Sequence, residues 1–284
     1  MGREEFVNGV SICAKYLRKF GPVDGLTMFV QARILASAGG TTAVHVPGAP
    51  SRVILRGGTS DVDVFEQIFV HCDYDARYLP QWRALEAKYD DTLRRAKCPI
   101  IVDCGANMGM ASIYFHSIFP RAAIVAIEPE PGNFGLLQRN SSSFPRITPV
   151  HAAVSDRAGM MRVANPGAAN WAFQFERADG AEETAVPAIT VFDALNLVDN
   201  GEPLIVKVDI EGAEEQLFRA PEWAARVPLV IVELHDWMKP WAGSSHPFLR
   251  AIGAGRFDLA VQARNVFAFS WDALHEFATE AAAQ

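Results

Sequence analysis

The sequence predicts an α/β protein whose parallel sheet is completed by an antiparallel hairpin. After Pro99, short apolar strands alternate with helical segments, a pattern typical of a parallel sheet with helices on both faces. Residues 257–262 and 265–269 form two strand patterns too close together for a crossover helix, so they must pair as an antiparallel hairpin. A chain of 284 residues buries enough surface to fold without disulfides or metals.

The strands of the main sheet are predicted from apolar runs of strand length. They lie at 100–102, 123–127, 147–154, 204–208 and 229–234, and helical segments are expected near 107–117, 133–140, 213–219 and 247–252. Residues 99–284 therefore make up the predicted α/β domain.

Residues 1–98 are predicted to form an N-terminal α+β extension. Helical spacing occurs at 7–20, 25–37, 61–70 and 80–95, and a hairpin is expected from 41–46 and 52–56 around a Pro/Gly turn. Two roles stay open for this extension: a lid that contributes to a binding site, and a dimerisation element.

Composition excludes several classes of partner. The 33 acidic residues outnumber the 26 basic ones, and the net charge of −7 disfavours nucleic-acid substrates. No apolar run approaches the roughly 20 residues of a membrane span, so no membrane partner is expected. Four cysteines without a C-x-x-C pair, and a start without a signal pattern, predict reduced thiols in a cytoplasmic protein. A homo-oligomer stays open.

The first chemical signal is the loop D-C-G-A-N-M-G at 103–109, which follows a strand and opens a helix. A Walker loop needs Gly-Lys-Ser/Thr and a dinucleotide loop needs G-x-G-x-x-G, and this loop has neither. Gly105 and Gly109 let the backbone approach a ligand closely. Because Asp103 places negative charge where a pyrophosphate would lie, the loop suits a cationic ligand. S-adenosylmethionine (SAM), with its ammonium and sulfonium and no phosphate, fits that requirement.

A second signal supports a nucleoside ligand. Glu128 ends the next strand, and an acidic side chain at this offset from the glycine loop can accept hydrogen bonds from both hydroxyls of a ribose. The alternative is a solvated carboxylate at a strand end. The combination with the glycine loop favours ribose binding.

Five motifs occur in an order that resembles a known family. They are VDCGANMG at 102–109, IEPE at 127–130, AVSD at 153–156, KVDIEGAE at 207–214 and VELH at 232–235. Together they resemble the FkbM family of class I SAM-dependent methyltransferases over about residues 99–270, and LRGGTSD at 55–61 is similar to a segment that precedes this domain in many members. The resemblance implies a Rossmann-like seven-stranded sheet of order 3-2-1-4-5-7-6. It also implies O-methylation, usually of a sugar or natural-product hydroxyl.

Carried over by position, the resemblance assigns the cofactor site. Asp103, Gly105, Asn107 and Gly109 would cradle the methionine end of SAM, and Glu128 would hold the ribose. For Asp156, contact with the adenine amino group and a plain turn role are equally open.

Polar residues at two neighbouring strand tips form the predicted catalytic centre. Asp209 and Glu211 alternate at the end of one strand, and Glu233 and His235 alternate at the end of the next, so their side chains can converge. His235 is the first choice for the general base, with Glu233 or Asp209 orienting it. The rival is metal assistance, in which these four residues bind a hard divalent ion. The base mechanism ranks higher because nothing in the spacing demands a metal.

The acceptor is expected to be a small molecule with a hydroxyl group. Trp171 and Trp237 are candidate contacts for it, because an indole can stack on a sugar ring, although core packing explains Trp171 equally well. Two other functions stay open: a catalytically silent SAM-fold interaction module, and a nucleotide-dependent oxidoreductase suggested by fold analogy alone.

Overall fold

The computed structural model describes residues 3–35, 39–46, 49–163, 175–177, 185–238 and 240–281. Trp171 lies outside these ranges. Within them no helix combines the length and the apolarity needed to cross a membrane. The four cysteines are free thiols.

The N-terminal segment contains four helices and one hairpin. In chain order these elements are α1 (Arg3–Phe20), α2 (Pro22–Phe29), a π-helical turn (Val30–Leu35), β1 (Thr41–Val44), β2 (Val53–Arg56), α3 (Asp61–Phe69) and α4 (Pro80–Arg94). β1 and β2 pair antiparallel, as predicted. The predicted helix at 25–37 starts earlier, because Pro22 supplies the fixed φ that favours a first helical turn.

The rest of the chain alternates strands and helices. Its elements are β3 (Cys98–Cys104), α5 (Met110–Ile118), β4 (Ala123–Ile127), α6 (Pro131–Ser141), β5 (Ile147–Val150), β6 (Ala153–Val154), β7 (Gly159–Val163), β8 (Phe175–Arg177), β9 (Val186–Ile189), α7 (Val191–Leu195), β10 (Gly201–Val208), α8 (Glu214–Leu217), β11 (Leu229–Glu233), α9 (His246–Gly253), β12 (Phe257–Gln262), β13 (Asn265–Ser270) and α10 (Trp271–Ala281).

The main sheet has seven strands in the order β5-β4-β3-β10-β11-β13-β12. Counted along the chain within this sheet, that order is 3-2-1-4-5-7-6, so the predicted topology is confirmed. The first five strands run parallel, and β13 pairs antiparallel with both β11 and β12. The strand order reverses between β3 and β10, and ligands of open α/β sheets bind at the carboxyl ends of strands at such a point.

The predicted strand at 147–154 is wrong in its length. β5 ends at Val150, and the chain turns before β6, which pairs with β9 in a separate four-stranded sheet. This smaller sheet holds β6 to β9 and lies in the stretch that connects β5 to β10.

Side chains alternate between the two faces of the main sheet, as strand geometry requires. Ile101 of β3 belongs to one hydrophobic cluster, whereas Ile100 and Val102 belong to another. The first cluster also contains Tyr16 and Phe65 of the N-terminal segment. The N-terminal segment therefore covers one face of the sheet and shares a core with it.

Candidate active site

The loop between β3 and α5 carries three residues in the left-handed backbone region. They are Gly105, Asn107 and Gly109, with φ angles of 76°, 49° and 91°. These angles turn the chain sharply from the strand into the helix. Gly105 and Asn107 line a cavity, whereas Asp103 is fully buried beneath the loop and Gly109 starts α5.

The two glycines are required by the protein's own packing. A Cβ atom on Gly105 would lie 1.8 Å from the carbonyl oxygen of Asp209, and one on Gly109 would lie 2.8 Å from a methyl carbon of Leu137. The backbone of Gly105 therefore lies directly against the end of β10. There the backbone N–H of Asp209 also donates to the carbonyl oxygen of Cys104 at 3.1 Å. The glycine loop and the tip of β10 thus form one backbone unit.

Glu128 lies at the tip of β4 and lines the same cavity. Its two oxygens accept hydrogen bonds from the backbone N–H groups of Asn107, at 2.8 Å, and Glu130, at 2.9 Å. Burial raises the pKa of Glu128 to about 7, against the lowering effect of these two bonds. The side chain of Asn133 also hydrogen-bonds this carboxylate. Of the roughly four lone pairs of a carboxylate, about one is therefore left to accept a hydrogen bond from a ligand hydroxyl.

Asp156 stands apart from the cavity wall. Its Oδ1 accepts hydrogen bonds from Ser155 Oγ at 3.0 Å and from Gln216 Nε2 at 3.2 Å. Its contact with adenine stays a prediction. Trp237, in contrast, lines the cavity at its mouth with 55% of its surface exposed, and its ring centroid lies 6.2 Å from that of His235.

The tips of β10 and β11 bring the four predicted catalytic residues together. Nε2 of His235 lies 3.4 Å from Oε2 of Glu211, and 3.7 Å from both Oδ1 of Asp209 and Oε1 of Glu233. All four residues line the cavity that also contains Gly105 and Glu128. The parallel pairing of β10 with β11 produces this convergence.

Glu214 belongs to this cluster, although its sequence position suggests only a first-turn helix residue. Its Oε1 lies 2.9 Å from Nδ1 of His235. The same oxygen accepts from the backbone N–H groups of Ile210 and Gly212, at 3.2 and 3.3 Å. Glu214 therefore closes the turn after β10 and fixes the imidazole with Nε2 toward the cavity.

The crowding of carboxylates shifts several pKa values. Burial raises the pKa of Glu211 to about 8, and repulsion from Asp209 adds to it. Burial and Asp209 also raise the pKa of Glu233. For His235, burial lowers the pKa, but the Glu214 hydrogen bond and the nearby carboxylates outweigh it and raise the value to about 9. The imidazole therefore holds its proton at neutral pH in this arrangement.

Lys207 lies between the glycine loop and the Asp209 carboxylate and interacts with both. It faces Asp103 across the β10–β3 pair, with Nζ 3.1 Å from Oδ1 of Asp103 and 3.5 Å from Oδ2 of Asp209. Nζ also donates to the carbonyl oxygen of Gly105 at 2.8 Å. The buried ammonium thus ties the glycine loop to the Asp209 carboxylate. The pKa of Lys207 stays well above the usual value because the attraction of Asp103 and other groups outweighs the effect of burial.

Residues from distant parts of the chain complete the cavity, which has a volume of about 380 Å³. Asp63 and Gln67 of α3 and Tyr74 line one wall, so the N-terminal segment contributes to the site. Arg264, in the turn between β12 and β13, places Nε 3.2 Å from Oε1 of Glu233. It reaches this position because Glu233 pairs with the neighbouring Asn265.

The strand order and the site at the tips of β3, β4, β10 and β11 define a protein of the class I methyltransferase fold. The chain belongs to the FkbM methyltransferase family, since the model of the methyltransferase FkbM domain matches residues 103–256, more than half of its length. The resemblance predicted from the motifs is confirmed. With the family, SAM is confirmed as the cofactor.

Two curated relatives match part of the chain. Methyltransferase sdnD of Sordaria araneosa is 30% identical over 102 residues, which cover 34% of this chain and 33% of the relative. Methyltransferase 1 of Beauveria bassiana (strain ARSEF 2860) is 32% identical over 77 residues, covering 27% of this chain and 24% of the relative. The matched segments thus span a third or less of the relatives' own lengths.

Solved structures show a weaker likeness. A structure of a putative O-methyltransferase from Klebsiella pneumoniae covers 88% of this chain and 99% of its own, with 12% identity and a TM-score of 0.38. Aeropyrum pernix fibrillarin, with natively bound SAM, covers 66% and 76%, with 14% identity and a TM-score of 0.36. At these scores the fold assignment rests on the strand order of the chain itself.

The residues at the glycine loop fit SAM. Oδ1 of Asn107 is buried without a hydrogen-bond partner, at a position where an ammonium group could donate to it. Glu128 lines the same cavity and can accept a further hydrogen bond from a ribose hydroxyl beside it. The cavity also falls in the size range of small-molecule sites, about 300–1,000 Å³.

Proposed function

We propose that this chain transfers the methyl group of SAM to a hydroxyl oxygen of a small-molecule acceptor. The observation that carries the proposal is the shared cavity: the glycine loop and Glu128 lie on one side, and the carboxylate–histidine cluster lies on the other. A hydroxyl must lose its proton as it accepts a methyl group, and a cluster of carboxylates and an imidazole can promote that loss.

The chain's own residues divide the work on the cofactor side. When bound, SAM supplies an electrophilic methyl group on its sulfonium sulfur. Asn107 accepts a hydrogen bond from the amino group of the methionine end, and Glu128 accepts from a ribose hydroxyl. Lys207 holds the loop against Asp209, which keeps the cofactor in register with the acceptor. Such positioning supplies a large part of the rate in group transfer.

The acceptor enters from the side of the N-terminal segment. Trp237 is exposed at the mouth, where its indole can stack on a sugar ring. Asp63 and Gln67 of α3 line the same cavity and offer hydrogen-bonding groups. We propose that α3 forms the acceptor wall, the lid role predicted for residues 1–98. An acceptor rich in hydroxyl groups, such as a sugar or a glycosylated natural product, suits this lining.

His235 as the general base stays a prediction. Its Nε2 faces the cavity, as the base role requires, and Glu214 orients the ring through Nδ1. The surrounding carboxylates hold the proton on the ring, however, so this role requires a deprotonated minority of the imidazole at neutral pH. Activation of the acceptor through the carboxylates is the second way to remove the hydroxyl proton.

The test is methyl transfer from isotope-labelled SAM to fractionated extracts and to a panel of free and glycosylated sugars, read by mass spectrometry. We expect a labelled methyl ether in one chemical class. The matched pair is Glu233→Gln in the cluster and Glu215→Gln, an exposed carboxylate paired with Arg219. Glu233→Gln should abolish the product, and Glu215→Gln should not change it. SAM binding by calorimetry with no labelled product in any fraction would identify a silent interaction module instead.

A further inference from the structure

Nε2 of His235 faces three carboxylates and forms a normal hydrogen bond with none of them. Its distances to Glu211, Asp209 and Glu233 are 3.4, 3.7 and 3.7 Å, whereas N–H···O hydrogen bonds span about 2.7–3.2 Å. The histidine side chain is 2% exposed. Oε2 of Glu211 is likewise buried without a hydrogen-bond partner. Four atoms of metal-ligand type therefore converge at one point of the cavity wall.

The spacing of these atoms suits a shared ion. Oxygen and imidazole ligands lie about 2.1 Å from a small divalent cation, so two ligands 90° to 120° apart lie about 3.0–3.6 Å from each other. The separation of 3.4 Å from Glu211 falls within that range, and the separations of 3.7 Å from Asp209 and Glu233 lie just above its upper end. Ligand atoms from Asp209, Glu233 and His235 all lie within 4.8 Å of one another.

The charges around this point also favour a dication. Four carboxylates meet there, from Asp209, Glu211, Glu214 and Glu233. The fixed cations beside them are Lys207, on Oδ2 of Asp209, and Arg264, on Oε1 of Glu233. With all four carboxylates ionised and the imidazole neutral, two negative charges exceed these cations, and like charges this close repel strongly in a buried site. In the metal-free site the carboxylates keep a proton on the imidazole and the pKa of Glu211 is raised, so a bound dication would replace protons there.

Glu214 completes the arrangement of a metal-binding histidine. Histidine ligands almost always donate their second ring N–H to a carboxylate or carbonyl, which fixes the tautomer and aims the other nitrogen at the metal. Here Nδ1 lies 2.9 Å from Oε1 of Glu214, and that carboxylate is itself held by two backbone N–H groups. The ring is therefore preset with Nε2 toward Asp209 and Glu233, where a metal ion would replace the Nε2 proton.

We propose that Asp209, Glu233 and His235 bind a hard divalent cation of the Mg²⁺ or Mn²⁺ type, with Glu211 as an additional oxygen ligand. The proposal deepens the function proposed above, on which its catalytic part rests. The cation would bind the acceptor hydroxyl and lower its pKa, and His235 would serve as a ligand rather than as the base.

The reaction balances without any redox partner. The acceptor oxygen forms its bond to the methyl carbon while the carbon–sulfur bond breaks. The electron pair of that bond stays on sulfur, which becomes a neutral thioether. The hydroxyl proton leaves to a carboxylate of the cluster and then to solvent. The cation stabilises the developing alkoxide and is unchanged at the end of the reaction.

The experiment measures cation binding directly, in the full-length protein without SAM or acceptor. Protein dialysed against EDTA is titrated with Mn²⁺ and followed by electron paramagnetic resonance, with Mg²⁺ as a competitor. We expect one bound ion per chain. Asp209→Asn and Glu233→Gln should each weaken Mn²⁺ binding at least 10-fold, and Glu214→Gln about 10- to 100-fold through loss of orientation. Glu215→Gln is the control and should leave the affinity unchanged.

Substitution of Arg264 should change the Mn²⁺ affinity in the opposite direction. Its guanidinium lies 3.2 Å from the same Glu233 oxygen that faces His235, so it competes with the cation. Removing its charge by Arg264→Gln should tighten Mn²⁺ binding about 3- to 10-fold. A variant that only misfolds would weaken binding, so this gain separates electrostatics from damage to the fold. Circular dichroism of the metal-free Asp209→Asn and Glu233→Gln proteins should show that both are folded at the temperature of the titration.

Three outcomes would overturn the proposal. The protein could bind no stoichiometric Mn²⁺, or it could bind Mn²⁺ with an affinity that Asp209→Asn and Glu233→Gln leave unchanged. The third outcome is that SAM displaces the Mn²⁺ because its ammonium or sulfonium group occupies the cluster. Methyl transfer that persists in EDTA would overturn the metal role while the proposed function stands, and His235 would then return as the base. Mn²⁺ binding at these residues without any methyl transfer would leave the site intact and overturn the proposed function.

Discussion

Replacing Lys207 by methionine should destabilise the protein by about 3–5 kcal/mol, the cost of leaving one partner of a buried ion pair alone. Lys207 and Asp103 are 3% and 0% exposed, and their charged atoms lie 3.1 Å apart. Methionine fills a similar volume but leaves the Asp103 carboxylate with Ser112 Oγ, at 2.6 Å, as its one side-chain hydrogen-bond donor among the described residues. The loss of an attractive charge, rather than a cavity, dominates the effect.

The expected change in melting temperature follows from the size of the chain. Unfolding entropy of about 2.1 cal/mol/K per residue gives about 0.6 kcal/mol/K for 284 residues. A loss of 3–5 kcal/mol then lowers the melting temperature by about 5–8 °C. Thermal unfolding by circular dichroism, supported by urea denaturation, measures this change.

A double variant tests the reason for the loss. Asp103→Asn with Lys207→Met removes both charges, while asparagine still accepts the hydrogen bond from Ser112. We expect it to recover more than half of the lost stability; the remaining cost of about 1 kcal/mol reflects the lost bond to the Gly105 carbonyl. If the two substitutions are additive, or if Lys207→Met alone costs less than about 1 kcal/mol, the ion pair does not hold this part of the site together.

Three further predictions follow from groups elsewhere in the structure. Burial raises the pKa of Glu128 to about 7, so SAM affinity should fall as pH drops below 7 and the carboxylate gains a proton. The Glu128→Gln variant should bind SAM about 10-fold more weakly at pH 8 and lose this pH dependence. Calorimetry that finds the wild-type affinity constant between pH 6 and 8 would contradict the ribose role. Asp61 is 1% exposed, and the guanidinium of Arg56 binds its two carboxylate oxygens at 2.8 and 2.9 Å. Urea denaturation should show that Arg56→Ala lowers the free energy of unfolding by about 3–5 kcal/mol and that Arg56→Lys lowers it less. Equal losses for the two variants would show that the two-pronged geometry of the guanidinium is irrelevant. Burial raises the pKa of Glu202, but hydrogen bonds from Arg95 and Lys88 outweigh burial and lower the pKa to about 2. Ionised Glu202 therefore stabilises the fold above its unfolded pKa, and this stabilisation is lost as pH falls from about 4.5 toward 2. The Glu202→Gln variant should have a melting temperature that is less sensitive to acid over that range, and an unchanged dependence on pH would refute the assignment.

The sequence predicts the main sheet well because its strands are continuous apolar runs. β3, β4, β10 and β11 are buried on both faces, so their hydrophobicity does not depend on contacts elsewhere. The small sheet of β6 to β9 is harder to predict. Its strands are two to five residues long and pair across a long insertion, so their partners are set by tertiary contacts.

The same distinction applies to the site. Asp209, Glu211, Glu233 and His235 converge because two parallel strands end side by side, which alternation along each strand already indicates. The partnership of Glu214 with His235 depends on the exact turn after β10, where Glu211 has a φ of 54°. Local sequence gives no signal for that turn beyond the glycine that follows.

Arg264 illustrates a contact that needs the strand register. Its approach to Glu233 follows from the pairing of Glu233 with Asn265 across β11 and β13. A shift of one residue would move the arginine to the opposite face. The sequence favours a general-base mechanism over metal assistance for a related reason. Spacing along the chain cannot show that three carboxylates lie 3.4–3.7 Å from Nε2 of His235.

The shared core of the N-terminal segment and the sheet has a consequence for synthesis. Tyr16, Phe65 and their neighbours leave the ribosome before β11 and β13, whose side chains complete their cluster. At about 5–20 residues per second, the segment waits on the order of 10 seconds or more for the last strands to emerge. During that interval the cluster can form only in part, from residues of the N-terminal segment and of elements such as β3, α5 and β4. Slower translation beyond residue 98 would lengthen the exposure of the apolar residues that β11 and β13 cover.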